Sequence, residues 1–152
     1  MPKIKEFVNK LQKYHGSSLV FNPWKDYDLN YDISSDAPLV RSRHLETFLR
    51  LRVPHARYIL VAEALGYKGG SFSGLALTSE RILLGHHPTV CTDVVIGRQG
   101  ERTSKVGTWL TRKQQVQGFA ESTATVLWQA LLDNKITPQE VMLWNIFPFH
   151  PH

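Results

Sequence analysis

The sequence has very little cysteine and no long apolar run. Cys91 is the single cysteine in 152 residues, so the chain has no partner for an internal disulfide and no cysteine set for zinc or an iron–sulfur cluster. No stretch approaches the roughly 20 apolar residues that span a bilayer, and the first twelve residues lack the apolar core of a signal peptide. These absences exclude disulfide scaffolds and membrane-spanning proteins. We expect a soluble, cytoplasmic protein without a membrane partner.

Acidic residues are fewer than basic ones. The chain has 13 Asp plus Glu against 18 Lys plus Arg, a formal net charge of +5, which favours association with polyanions such as nucleic acids. Hydrophobic residues make up 42% and charged residues 20% of the chain, which is ordinary for a globular protein and excludes disordered and fibrous classes. We therefore expect one domain over residues 1–152. The charge makes DNA a candidate partner, and nothing in the composition implies a protein partner.

The first third of the chain predicts two helices separated by an irregular arm. Apolar residues recur at helical spacing from Ile4 to Leu11, which predicts a short helix that ends near Gly16. Residues 17–35 are rich in Asn, Asp, Tyr and Pro without a period, so residues 1–35 are predicted to form a helix followed by an irregular arm. A second helix is predicted for residues 38–52, capped by Asp36. This helix carries Arg41, Arg43, Arg50 and Arg52.

Two apolar runs predict strands of a parallel sheet. Residues 58–62 read YILVA without alternation, which is typical of a strand that helices cover on both faces. Residues 141–146 read VMLWNI and follow a helix predicted from the apolar positions of residues 120–131. A strand, helices and a second strand predict an α/β fold with right-handed crossovers. Residues 85–118 read as an insertion in which residues 94–96 suit a short strand.

Two polar residues stand near the ends of these strands. Glu63 ends the first strand and Asn145 lies near the end of the second. Ligands of open α/β sheets bind beyond the carboxyl ends of the strands, so we expect both side chains to face one crevice if the strands are parallel neighbours. Each residue also has a plain structural interpretation. Glu63 suits a carboxylate that caps a helix or pairs with arginine, and Asn145 suits a buried amide bonded to backbone.

A glycine-rich loop follows Glu63. Residues 66–74 read GYKGGSFSG and lead into a short helix predicted after Thr78. Glycines let the backbone approach a ligand closely, and N–H groups at the start of a helix receive anions. A phosphate cradle is therefore one hypothesis, although the loop lacks the Walker pattern.

Four histidines are candidate metal ligands: His86, His87, His150 and His152. Zinc needs three or four ligands in a fixed geometry, and adjacent histidines point in different directions. We predict no metal site, and interpret these residues as solvated loop histidines or contacts to DNA phosphates.

Two segments resemble motifs of the uracil-DNA glycosylase superfamily. Residues 61–80 read VAEALGYKGGSFSGLALTSE and resemble its first motif, in which GEAPG leads to an SG or TG step and then to PFT. Residues 143–152 read LWNIFPFHPH and resemble the central strand motif of a bacterial and archaeal branch, WN followed by a PFHP run. The resemblance extends from about Pro23 to the end of the chain. It implies a three-layer α/β/α fold around a central, mostly parallel sheet.

The resemblance implies hydrolysis of the N-glycosidic bond of uracil or a related damaged base in DNA, without a cofactor. Such enzymes flip the base out of the stack into a fitted pocket. Asn145 matches the asparagine that hydrogen-bonds the uracil edge, and Glu63 matches the motif acid that positions water or stabilises positive charge on the deoxyribose. Backbone N–H groups of residues 64–66 would meet the uracil oxygen, and the helix arginines would hold phosphates. Further substrate-binding positions are Ala64, Leu65, Gly66, Tyr67, Leu77 and His150.

The chain departs from the first motif at three positions. Leu65 replaces the motif proline, Ala62 replaces the first glycine, and Leu77 replaces the aromatic residue that stacks on uracil. Stacking of a base on a ring contributes about 1–3 kcal/mol, so its loss weakens the pocket unless Phe72 or Phe149 takes over.

The last motif of the superfamily, a loop of the HPS type, should lie well downstream of Asn145. Because the sequence stops at His152, we expect a domain that lacks its C-terminal part, and its activity stays open. Two alternatives to an enzyme also stay open. One is a non-catalytic nucleic-acid binding module of the same fold, and the other is a small phosphate- or nucleotide-binding α/β domain.

Overall fold

A computed structural model describes residues 2–151, and both Met1 and His152 lie outside the described residues. The protein is mixed α/β. The helices are α1 (Pro2–Lys13), α2 (Ala37–Arg52), α3 (Gly70–Ser73), α4 (Glu80–Leu83), α5 (Thr92–Ile96), α6 (Arg112–Gln117) and α7 (Ser122–Asp133). The strands are β1 (Val20–Phe21), β2 (Tyr58–Ala64), β3 (Val141–Phe147) and β4 (His150–Pro151), and a 3-10 turn, Pro138–Glu140, precedes β3. Over residues 2–151, no helix is both long enough and apolar enough for a membrane span.

The two predicted strands are parallel neighbours. Tyr58 of β2 lies opposite Val141 of β3, and the register continues to Ala64 opposite Phe147. The short strands β1 and β4 form a separate antiparallel pair. The α/β class and the parallel pairing are therefore confirmed as predicted.

The prediction that helices cover β2 on both faces is wrong. Residues 58–61 of β2 are exposed, with Ile59 60% exposed. Within residues 2–151, β2 and β3 form a two-stranded sheet, so β2 has a neighbouring strand on one side only. In β3, by contrast, Val141 and Leu143 belong to the main core, together with residues of α2 and α7. An apolar run predicts a strand, but the elements that pack against the strand determine whether it is buried.

The predicted helices are present with small differences. α1 buries Ile4 and Val8, and α2 covers the predicted range. Asp36 stands before α2, but its side chain makes no capping hydrogen bond within the described residues, because its own backbone is already helical at φ −85° and ψ −5°. An N-cap side chain normally acts from an extended backbone.

Residues 94–96 are helical, which corrects the predicted short strand. They form most of α5, which ends at Gly97 with a φ of 70°. A glycine in the left-handed region is the common end of a helix. Burial of Val95 and Ile96 in the core overrides the strand preference of β-branched residues.

Two of the four α2 arginines belong to the interior. Arg41 is fully buried, and its Nη1 lies 2.6 Å from Asp32 Oδ1. Because its other donors reach the carbonyl oxygens of Pro23 and Asp26, Arg41 fixes the irregular arm to α2.

Arg52 is buried without a carboxylate among its described partners. Its guanidinium donates to the carbonyl oxygens of Val141 at 3.1 Å and Val95 at 2.7 Å, and it lies 3.8 Å from the ring centroid of Phe48. Burial lowers the pKa of Arg52 to about 10. This cation joins α2 to α5 and β3.

The predicted phosphate-binding role is wrong for Arg41 and Arg52, which are fully buried. Arg43 and Arg50 lie on the surface, where they form ion pairs with Glu101 and Glu46, and for these two the role stays a prediction. Helical spacing alone does not reveal which arginines the rest of the chain encloses.

The short helix predicted after Thr78 is α4, and its first residue is a structural carboxylate. Glu80 is fully buried. Its Oε1 accepts the N–H groups of Thr103 and Ser104, both at 2.9 Å, and its Oε2 accepts from Phe119 N at 3.3 Å. Glu80 thereby fixes residues 103–104 and 119 beside the glycine-rich loop.

Candidate functional site

Glu63 and Asn145 lie near the carboxyl ends of neighbouring strands but on opposite faces of the sheet. Asn145 is in register with Ala62, so their side chains share a face, and the next residue, Glu63, points to the other face. Asn145 is 2% exposed, whereas Glu63 is exposed. The shared rim is as expected, but the single shared crevice is not, because successive strand residues alternate.

The Asn145 side chain has an unsatisfied acceptor. Its Oδ1 is buried and has no hydrogen-bond partner within residues 2–151. Buried polar atoms are almost always bonded, and each exception calls for a physical reason. The interpretation of Asn145 as an amide satisfied by backbone does not hold for this oxygen.

The loop after β2 packs against the carboxyl group of Glu121. A Cβ atom at Gly66 would lie 2.9 Å from Glu121 Oε1, and a Cβ at Gly69 would overlap Oε2. The Glu121 carboxyl group therefore occupies the space that a side chain would take at these two positions. Burial raises the pKa of Glu121, and its Oε2 has no partner in the described part of the chain.

The strand-end segments are joined by backbone and histidine contacts. Leu65 N donates to Phe149 O at 3.3 Å, and His150 Nδ1 lies 2.8 Å from Leu65 O. Since a carbonyl only accepts, Nδ1 of His150 carries a proton. The expectation that all N–H groups of residues 64–66 face a ligand is corrected at Leu65, whose N–H already has a partner.

A small pocket of about 30 Å³ opens beside this loop. Its walls come from the loop after β2, from the residue that begins β4, and from the irregular arm: Phe21, Asp28, Tyr31, Asp32, Tyr67, Ser71, Phe72 and His150. The rings of Tyr67 and His150 lie 5.7 Å apart, and Phe72 stacks on Phe119 at 4.7 Å. These aromatic rings give the pocket apolar walls.

The pocket contains some of the predicted substrate-binding residues. Tyr67 and His150 line it. Burial, followed by the nearby Tyr31, raises the pKa of Tyr67, so its phenol stays a neutral donor. Among the described lining residues, neither Glu63 nor Asn145 appears. Asn145 instead lies on the buried face of the sheet, the face of Ala62 and Ala64.

The remaining predicted residues pack against protein. Leu65 is buried and occupies the space where a Cβ of Gly70 would stand, and Gly66 lies against Glu121 as described above. Leu77 packs on the main core, and its carbonyl accepts from Trp128 Nε1 at 3.1 Å.

The two proposed aromatic substitutes for Leu77 differ in position. Phe72 lines the pocket. Phe149 belongs to the main core and stacks on Tyr14, with ring centroids 4.2 Å apart. Phe72 is therefore the ring placed to contact a ligand.

Sequence reasoning missed the contribution of the arm and of Glu121. Asp28 and Tyr31 reach the pocket because the arm is anchored by the buried Arg41–Asp32 ion pair. The Asn, Asp and Tyr content of residues 17–35 was the signal that this arm is more than a linker. Nothing local distinguishes Glu121, since its neighbour is a loop far away in sequence.

Considering only residues 2–151, no group of three His, Cys, Asp or Glu side chains is arranged to hold a metal ion, and His152 lies outside that range. Neither a protein-family model nor a curated protein nor a solved structure matches this chain.

Proposed function

We propose that this protein is a uracil-DNA glycosylase-like enzyme of base excision repair, which hydrolyses the N-glycosidic bond of uracil or a related damaged base in DNA without a cofactor. The proposal rests on the resemblance of residues 61–80 and 143–152 to two superfamily motifs. One structural observation supports it most. The buried amide of Asn145, with Oδ1 lacking a partner within residues 2–151, lies near the carboxyl end of β3.

The Asn145 amide has the chemistry to select uracil. Uracil offers the N3–H donor beside the O4 acceptor, so Oδ1 accepts from N3–H while Nδ2 donates to O4. Cytosine presents an unprotonated N3 and an amino donor at these positions, and both contacts fail. An unsatisfied Oδ1 is the group that this selection needs.

Hydrolysis breaks the bond between C1′ of the deoxyribose and the base nitrogen and joins a water oxygen to C1′. The bonding electrons leave with the base, so negative charge grows on uracil and positive charge on the sugar, and the proton that the water loses ends on the departing base. Donation from Asn145 Nδ2 to O4 stabilises the departing base. Glu63 is the acid that the resemblance assigns to the sugar and water. Because Glu63 lies on the opposite face, the proposal requires the sugar to sit beyond the strand ends, where the two faces meet.

The three-layer α/β/α architecture is the structural part of this proposal. Its support is that β3 has helices on both faces. Phe7 of α1 contacts Trp144, with ring centroids 5.6 Å apart, and Leu143 on the other face joins α7 residues in the core.

A base-release assay tests the function directly. Wild type, Asn145→Ala and Asn145→Asp are incubated with a uracil-containing oligonucleotide and with its thymine counterpart, and abasic sites are counted after alkaline cleavage. We expect uracil release by wild type and a loss of about 100-fold or more in both variants, as for removal of a donor to developing negative charge. Asn9→Ala, which changes an exposed asparagine of α1, keeps the wild-type rate.

The assay also has a clear negative result. Equal numbers of abasic sites above background from wild type and Asn145→Ala would contradict the catalytic role. Circular dichroism of each variant separates lost chemistry from lost folding.

A second candidate is a non-catalytic nucleic-acid binding module. The opposite orientation of Glu63 and Asn145 and the core packing of Leu77 favour it. For such a module we expect salt-dependent binding of an oligonucleotide without release of a base. The third interpretation, a phosphate cradle in the glycine-rich loop, is disfavoured because the Glu121 carboxyl group lies against Gly66 and Gly69.

A further inference from the structure

A second open groove, of about 520 Å³, lies apart from the pocket of Tyr67 and His150. Its walls come from α4, α6, α7 and the turn formed by residues 86–88. We call it the basic groove, after Arg81, His86, His87 and Lys113.

His87 lines this groove and has a buried, unbonded donor. Its Nδ1 accepts the backbone N–H groups of Thr89 at 3.3 Å and Val90 at 3.1 Å. A ring nitrogen that accepts an N–H carries no proton, so the proton of the neutral ring is on Nε2. Burial, and secondarily Arg81, lowers the pKa of His87. Nε2 is buried and has no partner among residues 2–151.

Arg81 presents a second donor together with a permanent charge. Its backbone N–H donates to Phe119 O at 2.8 Å, and its Nη2 lies 3.5 Å from Gly118 O. Its Nε is buried without a partner in the described chain. Arginine does not lose its proton in proteins, so this N–H is a donor at every working pH.

We propose that the basic groove binds a phosphate group through Arg81 Nε–H and His87 Nε2–H, with Lys113 adding positive charge. A phosphate has several acceptor oxygens and satisfies both unbonded donors at once, and bonds between charged partners are the strongest of their kind. The protonated Nε2 of His87 is a donor and no metal ligand. Asp133 also lines the groove, and its Oδ1 accepts from Gln129 Nε2 at 2.7 Å. The negative charge of Asp133 repels a phosphate, so the proposal requires the phosphate to bind closer to Arg81 and His87 than to Asp133.

This phosphate comes from one of two sources, a nucleic-acid strand or free phosphate in solution. The inference goes beyond the proposed function, because the groove shares no lining residue with the pocket of Tyr67 and His150 within the described chain.

Titration with inorganic phosphate, followed by calorimetry and by the phosphorus NMR line width, is the first test. Arg81→Gln removes the charge, and we expect it to weaken binding about tenfold, as for loss of a charge-assisted bond. His87→Asn removes the Nε2 donor while its Oδ1 still accepts from the turn, and we expect a loss of about threefold to tenfold. Arg57→Gln removes the same charge from an exposed position just before β2 and leaves the affinity unchanged.

An undamaged oligonucleotide is the second probe and identifies the source. If Arg81→Gln weakens oligonucleotide binding and Arg57→Gln does not, the phosphate belongs to a nucleic-acid strand. If only the affinity for inorganic phosphate falls, the ligand is free phosphate. The proposal is overturned if wild type binds neither probe, or if Arg81→Gln binds both as tightly as Arg57→Gln. Asn145→Ala keeps its phosphate affinity, so a failure here is distinct from a failure of the glycosylase assay.

Discussion

Two buried asparagines, in different regions of the molecule, differ in how their side-chain amides are hydrogen-bonded. Asn22, in the arm, is 1% exposed, and its Nδ2 donates to Leu11 O at 2.8 Å while its Oδ1 accepts from Trp24 N at 3.1 Å. Asn145, at the strand end, is 2% exposed, and its Oδ1 has no partner within residues 2–151. The same residue type links two segments through hydrogen bonds in one region and has an unbonded acceptor in the other.

The surroundings of the two asparagines follow the same division. Polar groups of and around the arm, such as Asp32 and Arg41, are multiply bonded. At the strand end, Glu121 repeats the pattern of Asn145, with one buried oxygen unbonded among the described residues. An unbonded buried group costs roughly 1–3 kcal/mol. A cost of this size is understandable where a ligand replaces the missing partner, and this favours the strand end as a binding region.

Replacing each asparagine with valine gives the largest contrast. Asn22→Val leaves Leu11 O and Trp24 N without their partner, so we expect the free energy of unfolding to fall by about 2–4 kcal/mol. Asn145→Val removes an unsatisfied oxygen and places a β-branched residue in a strand, so we expect unchanged stability or a gain of about 1 kcal/mol. Urea unfolding measures both, and equal losses would remove the distinction between the regions.

His44 gives a smaller, pH-dependent effect within the bonded region. His44 Nε2 accepts from Glu101 N at 3.0 Å and Nδ1 lies 3.0 Å from Ser73 O, which is the pattern of a neutral ring. Burial lowers the pKa of His44 below 6.5. The unfolded chain therefore takes up the proton first, so the stabilisation is complete above about pH 6.5 and is lost as the pH falls.

The free energy of unfolding of wild type and of His44→Gln, measured from about pH 7.5 to about pH 5, checks this, because the range includes the ordinary histidine pKa of about 6.5. The wild type should lose stability more steeply than the variant on acidification. Parallel curves would show that His44 does not titrate on unfolding.

Glu121 gives the smallest effect, with the opposite sign of pH dependence. Burial raises its pKa above 4.5, so the folded protein holds the proton more tightly and its stability rises as the pH falls through the raised pKa. Glu121→Gln should therefore melt above wild type at neutral pH and converge with it below about pH 4.5. Glu6→Gln, at an exposed ion pair of α1, should show no such gain. A lower melting temperature for Glu121→Gln at neutral pH would contradict the cost assigned to its burial.

The helices and strands were predictable because their signals are local. The spacing of Ile4 and Val8 and the apolar runs at residues 58–62 and 141–146 lie within single elements, and the structure has helices or strands at those places. Residues 94–96 were not predictable in this way, because burial against distant elements outweighed their strand preference.

The candidate site was predictable only in part. Glu63 and Asn145 were expected at one rim of a parallel pair, and the pairing is present. Their opposite faces depend on the register between strands far apart in the chain. The role of Arg41 depends on Asp32 in an irregular segment, and the position of Glu121 depends on how α7 packs against the glycine-rich loop.

By itself, the sequence determined the long helices, the two main strands, the α/β class and the basic charge, since each follows from neighbouring residues or from composition. Only the tertiary structure decided which polar groups are bonded and which are left open. Hydrogen bonding and burial depend on partners from distant segments. The sequence alone therefore does not show that the Asn22 amide is hydrogen-bonded while Asn145 Oδ1 is not.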